Sequence, residues 1–323
     1  MNILITGIHG FVGSNMVAVL QEQDTIYGLD IVSPAKEGVI KTFAWSELND
    51  IPNVDVVIHL AGKTHDTKDQ TVSQVYFDIN TGLTMQIFDW FLKTGAKKFI
   101  FFSTVKAVAD RVEGEVLTEE VVPNPKGPYG ESKLAAERYI MDEWAKGRRG
   151  EGEKGRQSEV IDKKVYILRP CMIHGPGNKG NLNLLFKIQQ KGLPWPLGAF
   201  ENRRSFCSID NISFVIQQLI SKNIEPGIYQ VADDEALSTN ELIRLMALSQ
   251  NKKARIWSIP VKPIKAIARA GDFFHLPLNS ERLRKLTESY LVSNQKIKHA
   301  IGIDKMPVTA TDGMQKTLES FRK

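Results

Sequence analysis

The feature of the sequence that most restricts its fold is an alternation of short apolar runs with longer amphipathic stretches over the first two thirds of the chain. Segments with apolar residues at three-to-four spacing predict helices over 11–21, 71–93 and 129–146. Runs rich in Ile, Val and Phe predict strands over 2–6, 25–29, 54–60, 98–103 and 164–168. Apolar strands that alternate with helices are typical of a parallel sheet covered on both faces. We therefore predict a doubly wound α/β fold.

The pattern of predicted elements changes after residue 170, where short helical patterns, turns and prolines replace the regular alternation of strands and helices. This part predicts a strand over 228–231 and a helix over 240–249. We therefore divide the chain into a sheet domain over residues 1–169 and a smaller mixed lobe over 170–323. Residues 147–158 hold no apolar side chain, and we expect an exposed, mobile loop there.

Composition excludes several classes of protein. No run reaches the roughly 18 to 20 apolar residues of a membrane span, and the sequence begins on a strand pattern without a basic leader, so we expect a cytoplasmic location. The net charge of +5 fits an anionic small substrate, and no basic stripe with interleaved aromatic residues indicates nucleic-acid binding. Cys171 and Cys207 show neither disulfide nor metal-ligand spacing, so we expect two buried thiols and no metal site.

A glycine-rich turn follows the first predicted strand and opens the first predicted helix. Gly7, Gly10 and Gly13 lack side chains, which lets the chain turn tightly and lets its backbone approach a pyrophosphate. The amide groups at the start of the helix, at Phe11 and Val12, would donate hydrogen bonds to that group. The alternative interpretation is a plain turn, but the strand before it and the helix after it favour a dinucleotide site.

Asp30 ends the second predicted strand. A carboxylate there can accept hydrogen bonds from the ribose hydroxyls of a dinucleotide, and its charge would repel a 2′-phosphate. The position therefore favours NAD over NADP, and the alternative is a turn or cap residue.

Tyr129 and Lys133 stand four residues apart at the start of a predicted helix, so their side chains share one face. A neighbouring ammonium and a positive nicotinamide ring would lower the pKa of the Tyr129 phenol toward the working pH, which suits general acid/base catalysis. Thr104, after the strand that ends at Ser103, would offer a hydroxyl beside the reacting oxygen. The spacing alone is common, and its position after the glycine-rich turn favours a catalytic role.

The sequence resembles the extended short-chain dehydrogenases, within them the branch of nucleotide-sugar epimerases and reductases. The resemblance covers nearly the whole chain. Its motifs are TGIHGFVG at 6–13, Asp30, DVVIHLAG at 55–62, Asn80, the strand end at Ser103 and Thr104, YGESK at 129–133, and LRPCMIHGPG at 168–177.

The resemblance implies an NAD-dependent enzyme that acts at C4 of a nucleotide-linked, UDP-type sugar. It implies that the cofactor lies against the strand ends and the catalytic helix, at Leu60, Ala61, Gly62, Asn80, Ser103, Tyr129, Lys133 and Pro170. It further implies that the second lobe holds the substrate, with Asn183, Arg203 and Arg282 as contacts of the substrate phosphates. Arginine suits this task because its planar fork binds phosphate oxygens in a bidentate manner.

The resemblance also implies a homodimer built on the predicted helices 71–93 and 129–146. We expect an exposed apolar face there, formed by Phe88, Trp90, Phe91 and Trp144.

The residues leave several alternatives open. A 4-epimerase and a 4-keto-sugar reductase would use the same catalytic groups, and the stretches 182–195 and 286–290 resemble reductases of polysaccharide pathways. Dehydration is not expected, because Val105 and Lys106 follow Thr104 where sugar dehydratases have an Asp-Glu pair. A rival from another class is a non-catalytic dinucleotide-sensing or scaffold protein of the same fold. The basic, helically spaced stretch 262–275 indicates either a packed surface helix or contact with a membrane surface.

Overall fold

A central parallel sheet organises this computed structural model, which describes residues 1–64, 73–149, 162–178, 180–274 and 279–322. Its strands within these residues are β1 (Asn2–Thr6), β2 (Thr25–Asp30), β3 (Lys41–Ala44), β4 (Val56–His59), β5 (Lys98–Phe102), β6 (Lys164–Pro170) and β9 (Gly227–Val231). They lie in the order β3-β2-β1-β4-β5-β6-β9, and neighbouring strands are parallel. Two further strands, β7 (Met172–His174) and β8 (Phe206–Ser208), form a separate parallel pair.

Helices cover both faces of the sheet. Within the described residues, the helices of these layers and of the second lobe are α1 (Phe11–Leu20), α2 (Ser73–Tyr76), α3 (Leu83–Lys93), α4 (Pro128–Arg149), α5 (Asn181–Gln190), α6 (Ile209–Ser221), α7 (Thr239–Leu248), α8 (Val261–Phe274), α9 (Ser280–Thr287), α10 (Gln295–Ile301) and α11 (Ala310–Ser320). A π-helical segment, Phe77–Gly82, joins α2 to α3. The strand order and the two helical layers confirm the predicted doubly wound, Rossmann-type fold.

The central strands read as continuous apolar runs because both of their faces are buried. In β1, Ile3 and Ile5 lie in the core cluster that includes residues of α1 and α6. Leu4, between them, lies in the opposite cluster with residues of α3 and α4. The alternation of strand side chains thus serves two cores, one on each side of the sheet.

Two expectations about the second helical layer are corrected. Phe88, Trp90, Phe91 and Trp144 are buried within the chain, at 0%, 9%, 0% and 7% exposure, so they form no exposed apolar face. They pack on β4, β5 and β6 instead. Residues 147–149 do not begin a loop, because α4 continues to Arg149, and the rest of the predicted loop lies outside the described residues, as do 71 and 72.

The second lobe is not separate from the sheet. Both β9 and α6 lie beyond residue 170, yet β9 is a strand of the central sheet and α6 packs on one face of it. Two further apolar clusters lie in the lobe, one of which includes Phe186, Leu242 and Met314. Cys171 and Cys207 are buried free thiols, as predicted. In the described part of the chain no helix combines the length and the apolarity needed to cross a bilayer.

A buried ion pair fastens α4 to the sheet. Glu137 of α4 and Arg169 of β6 are 2% and 3% exposed. The Arg169 Nε atom donates to Glu137 Oε1 at 3.0 Å, and Nη2 donates to Oε2. The Ser103 hydroxyl also donates to Glu137 Oε1. The carboxylate thereby holds the end of β5, β6 and the catalytic-helix candidate α4 in one place.

Removal of the Glu137 charge should destabilise the fold strongly. We expect Glu137→Gln to lower the free energy of unfolding by about 3 to 5 kcal/mol, because Arg169 stays charged and buried without its partner. The control Glu143→Gln breaks an exposed pair with Lys146 on the same helix and should cost less than about 1 kcal/mol. Urea denaturation measures both, and equal losses would contradict the role given to the buried pair.

Candidate functional site

The site lies where the strand order of the sheet reverses. The chain proceeds from β1 outward to β2 and β3, and then returns to β4 on the other side of β1. Connections leave β1 and β4 in opposite directions, which opens a crevice beyond their carboxyl ends. The residues predicted to form the site after β1, β4 and β5 follow the carboxyl ends of these strands, which is the edge of the sheet where the crevice opens.

The glycine-rich turn after β1 is closely packed against the end of β4. Gly7 has a φ of +67°, and a Cβ atom there would lie 2.9 Å from the Ala61 backbone. A Cβ on Gly13 would lie 2.5 Å from the Gly7 carbonyl oxygen and 2.8 Å from Ile8 Cα. Side chains at both positions are therefore excluded, and α1 starts directly beside the crevice, with Gly10 as its N-cap.

Asp30 ends β2 beside this turn, as the sequence predicts. Its Oδ2 atom accepts a hydrogen bond from the His9 amide at 3.0 Å, and Oδ1 accepts one from the Ile31 amide at 2.7 Å. The half-buried carboxylate thus braces the glycine-rich turn. Each of its oxygens retains lone pairs that can accept further hydrogen bonds.

A chain of buried hydrogen bonds crosses the sheet through His59. Its Nδ1 atom lies 2.6 Å from Thr6 Oγ1, and its Nε2 atom lies 2.9 Å from Thr84 Oγ1. The Thr84 hydroxyl already donates to the Asn80 carbonyl at 2.6 Å, so it must accept from the imidazole. Burial lowers the pKa of His59 well below its usual value. The ring is therefore neutral and protonated on Nε2, with Thr6 donating to Nδ1.

Asn80 continues this chain to α4. Its Nδ2 atom donates to Ser132 Oγ at 3.0 Å and to the Lys63 carbonyl at 3.1 Å, while Oδ1 accepts from the Lys63 amide at 2.7 Å. Ser132 in turn donates to the Tyr129 carbonyl. Asn80 lies in the π-helical segment, a geometry found frequently at functional sites. It is fully buried, and it ties the chain after β4 to α4.

Tyr129 and Thr104 meet through their hydroxyl groups. Thr104 follows β5, and its Oγ1 atom also accepts from the Lys106 amide at 3.2 Å. Desolvation of the phenol raises the pKa of Tyr129, and this effect outweighs the hydrogen bond with Thr104, which acts to lower the pKa. The expectation of a lowered pKa for Tyr129 is therefore wrong where the protein side chains act without a bound nicotinamide ring. At neutral pH they keep the phenol protonated.

Lys133 lies on the same face of α4, one turn after Tyr129. Its Nζ atom donates to the Phe102 carbonyl at 2.9 Å and lies 4.8 Å from the centre of the Phe101 ring. Burial lowers the pKa of Lys133 to about 8, and the negative charge of Glu137 acts in the opposite direction. A Cβ on Gly62 would lie 3.0 Å from this Nζ atom. The ammonium is thus confined between β4, β5 and α4.

The residues predicted to hold the substrate phosphates lie in the second lobe, on different elements. Asn183 is in the first turn of α5, and its Nδ2 atom contacts the Asn178 carbonyl at 3.4 Å. Arg203 is exposed and donates to the Ala236 carbonyl at 3.3 Å. Arg282 is exposed in the first turn of α9.

Arg204, the neighbour of Arg203, is a further candidate for a phosphate contact. It is less exposed than Arg203, and burial lowers its pKa. The charge of Arg204 acts on Lys106, two residues after Thr104, and its Nη1 atom donates to the Lys285 carbonyl at 2.8 Å. Two adjacent arginines look alike in a sequence, and the β-bridge of Arg204 to Leu237 and Tyr290 is what turns one of them inward.

Comparisons with known proteins agree with this geometry. A model of the NAD dependent epimerase/dehydratase family matches residues 3–232. A UDP-glucose 4-epimerase of Vibrio cholerae is 29% identical over 337 residues, which cover 99% of this chain and 95% of that protein. An N-acetyl-alpha-D-glucosaminyl-diphospho-ditrans,octacis-undecaprenol 4-epimerase of Escherichia coli O157:H7 is 26% identical, with 98% and 94% covered. The solved structure of UDP-N-acetylglucosamine 4-epimerase from Bacillus cereus has a TM-score of 0.75 at 18% identity, over 100% of both chains.

The lowered pKa of Lys133 makes a testable contribution to stability. Between about pH 8 and 10.5 the folded protein has released this proton, whereas the unfolded chain still holds it, so a rise in pH favours the folded state. Relative to Lys133→Met, the wild type should gain up to about 3 kcal/mol of unfolding free energy across this range. Chemical denaturation of both proteins at a series of pH values measures the difference, and a constant difference would contradict the burial of this ammonium.

Proposed function

Since the chain belongs to the NAD-dependent epimerase/dehydratase family, we propose that it is a 4-epimerase of nucleotide-linked, UDP-type sugars. The chain is an enzyme, and its cofactor is NAD. The single observation that carries the proposal is the hydrogen bond between the Tyr129 and Thr104 hydroxyls, with Lys133 held one helical turn away. This arrangement joins a proton carrier, a hydroxyl partner and a fixed positive charge at the rim of the crevice.

The residues around the crevice fit NAD. The glycine-rich turn leaves no room for side chains at Gly7 and Gly13, so backbone amides from Gly10 through Val12 can approach a pyrophosphate. The Asp30 carboxylate would accept the ribose hydroxyls. Further along the crevice, the nicotinamide end would be held by Leu60, Ala61, Gly62, Asn80, Ser103, Tyr129, Lys133 and Pro170. When bound, NAD supplies the acceptor and donor of a hydride.

The protein side chains would manage the proton at the sugar C4 oxygen. In the oxidation step, the ionised Tyr129 Oη would take the proton of the C4 hydroxyl as the C4 hydride leaves, and Thr104 would donate a hydrogen bond to the oxygen that becomes the C4 carbonyl. In the reverse step, the protonated phenol would return this proton to the C4 carbonyl oxygen. The raised pKa of Tyr129 favours the second role, and the ammonium of Lys133 on the same face favours the first by stabilising the phenolate.

The second lobe would hold the nucleotide diphosphate. We retain Asn183, Arg203 and Arg282 as candidates and add Arg204, because its charge is turned toward Lys106 and the strand end at Thr104. A partly desolvated guanidinium binds phosphate oxygens more strongly than an exposed one. The exposed side chain of Arg203 is the weaker choice on this ground.

Epimerisation is preferred to reduction because two relatives that match almost the whole chain are named 4-epimerases. A 4-keto-sugar reductase remains the alternative, with the same catalytic groups. The absence of an Asp-Glu pair after Thr104 argues against dehydration. A non-catalytic scaffold would not need the Tyr129, Lys133 and Thr104 geometry.

We further propose a cytoplasmic enzyme that serves polysaccharide biosynthesis and works as a homodimer. With Phe88 and Trp144 buried in the chain, the dimer rests on the resemblance to the family alone. Analytical ultracentrifugation would test it directly.

Replacement of the catalytic phenol should stop turnover without unfolding the protein. We expect Tyr129→Phe to lower kcat for 4-epimerisation by about 10²- to 10⁴-fold, the usual contribution of a general acid/base. The control Tyr139→Phe removes a hydroxyl on the same helix that bonds Asp89, and it should leave kcat within about twofold. Proton NMR of UDP-linked glucose, N-acetylglucosamine and glucuronate, without added NADH, measures the 4-epimers.

Each result of this assay has a separate meaning. The proposed activity would change from epimerase to reductase if NADH were consumed stoichiometrically with a 4-keto sugar and no nucleotide sugar gave an epimer. Full activity of Tyr129→Phe would overturn the catalytic assignment. Absence of any turnover over the whole panel would favour the scaffold.

Asp30 should set the preference between NAD and NADP. We expect the wild type to bind NAD more tightly, and we expect Asp30→Asn to reduce the ratio of the two dissociation constants by about tenfold, because one unit of charge repulsion with the 2′-phosphate is removed. The control Asp24→Asn removes a carboxylate that pairs with the N-terminus before β2, and it should leave the ratio unchanged. Isothermal titration gives both constants, and an unaltered ratio in Asp30→Asn would exclude a ribose contact.

A further inference from the structure

The positive charge of the chain is concentrated in one segment. Residues 250–274 hold six basic side chains and one acidic side chain, Asp272. This surplus of five equals the net charge of +5 of the whole chain, so the remaining residues are electrically balanced. The basic residues, all exposed, are Lys252, Lys253, Arg255, Lys262, Lys265 and Arg269.

Helix α8 within this segment has two apolar sides. Ile264, Ala268 and Gly271 form a buried stripe, which packs with Leu197 and Leu283. A second set of apolar residues is exposed: Pro263, Ala266, Ile267, Ala270, Phe273 and Phe274. Ile267, Phe273 and Phe274 are 54%, 78% and 65% exposed. A helix needs one apolar side to pack on its own protein, so the second side requires another explanation.

The exposed apolar and basic residues of α8 occupy neighbouring arcs. At about 100° per residue, the exposed apolar set spans one continuous arc opposite the buried stripe. Lys262, Lys265 and Arg269 fall together on the adjoining arc. Asp272 is turned toward the next helix, where it accepts hydrogen bonds from Ser280 N and Oγ. We call this combination, with the nearby Trp257 at 57% exposure, the α8 face.

Three kinds of occupant differ in how they match this face. A second copy that paired antiparallel with this helix across a two-fold axis would set one basic arc beside the other, which like charges oppose. A nucleic acid would contact the basic arc but would leave Ile267 and the alanines uncovered. An anionic lipid surface satisfies both arcs, since phosphates meet the basic side chains and the acyl boundary receives Phe273, Phe274 and Ile267.

We propose that the α8 face binds the surface of an anionic lipid bilayer as a peripheral attachment. The attachment goes beyond the proposed function and does not depend on it. Helix α8 packs on α9, whose Lys285 carbonyl accepts from Arg204. The face is therefore one helix away from the proposed phosphate contacts, and attachment would turn that side of the second lobe toward the membrane.

Vesicle sedimentation of the full chain tests the attachment. We expect the protein to sediment with vesicles in which about one quarter of the phosphatidylcholine is replaced by phosphatidylglycerol, and to stay in solution with phosphatidylcholine alone. Binding should fall steeply when salt is raised, because the basic arc remains near the aqueous surface.

Two variants and one matched control locate the binding surface. Lys262→Gln/Lys265→Gln/Arg269→Gln and Phe273→Ser/Phe274→Ser should each reduce the bound fraction at least tenfold at fixed lipid. The control Lys93→Gln/Lys97→Gln/Lys126→Gln removes the same charge from exposed positions elsewhere and should bind as the wild type does. Far-ultraviolet circular dichroism checks that all three remain folded.

Several outcomes would overturn the proposal. Failure of the wild type to bind anionic vesicles would do so, as would an equal loss in the control, which would indicate net charge rather than a defined face. Self-association without lipid that Phe273→Ser/Phe274→Ser abolishes would assign the face to a second copy instead. Because sedimentation does not require turnover, its result is independent of whether the epimerase assignment holds.

Discussion

The structure depends on a continuous path of buried hydrogen bonds that runs from β1 to α4. Ala61 N donates to Thr6 Oγ1, Thr6 donates to His59, His59 to Thr84, and Thr84 to the Asn80 carbonyl. Each side chain on the path is fully buried, so an unmade bond would leave a polar group without water. Protonation of His59 at Nδ1 would force the Thr6 hydroxyl to turn and accept from the ring, and the buried Thr6 proton would then lose its present acceptor. The neutral imidazole is therefore part of the fold and not only a consequence of burial.

This path explains why the catalytic candidates are rigidly placed. Asn80 passes the connection to Ser132, beside Lys133. The pair of Glu137 and Arg169 grips the same helix one turn further on. Lys133 thus lies between two anchored positions of α4, and Tyr129 is joined to the first of them through the Ser132 hydroxyl, which limits the movement of both residues relative to β5. Such preorganisation is what electrostatic stabilisation of a developing charge requires.

Most of the sheet could be predicted from the sequence because parallel strands that are buried on both faces are apolar throughout. Six predicted strands agree with β1, β2, β4, β5, β6 and β9 within a few residues. The sequence did not reveal β3, β7 or β8, since strands of three or four residues carry too short a pattern. The aromatic residues of α3 were assigned to an exposed face because helical spacing does not tell which side meets the sheet. Likewise, the pKa of Tyr129 depends on desolvation, which no local motif encodes.

The π-helical segment at Phe77–Gly82 has a further consequence. A π turn contains one residue more than an α turn and is rare in proteins, which indicates that it is retained only where something compensates for its cost. Here the compensation is the rotation that brings the Asn80 amide onto Ser132 and Lys63 at the same time. Regular winding would rotate that amide away from α4 while improving the helix locally. The stability of this helical segment and the placement of the Asn80 amide therefore favour different geometries, and the chain has the geometry that places the amide.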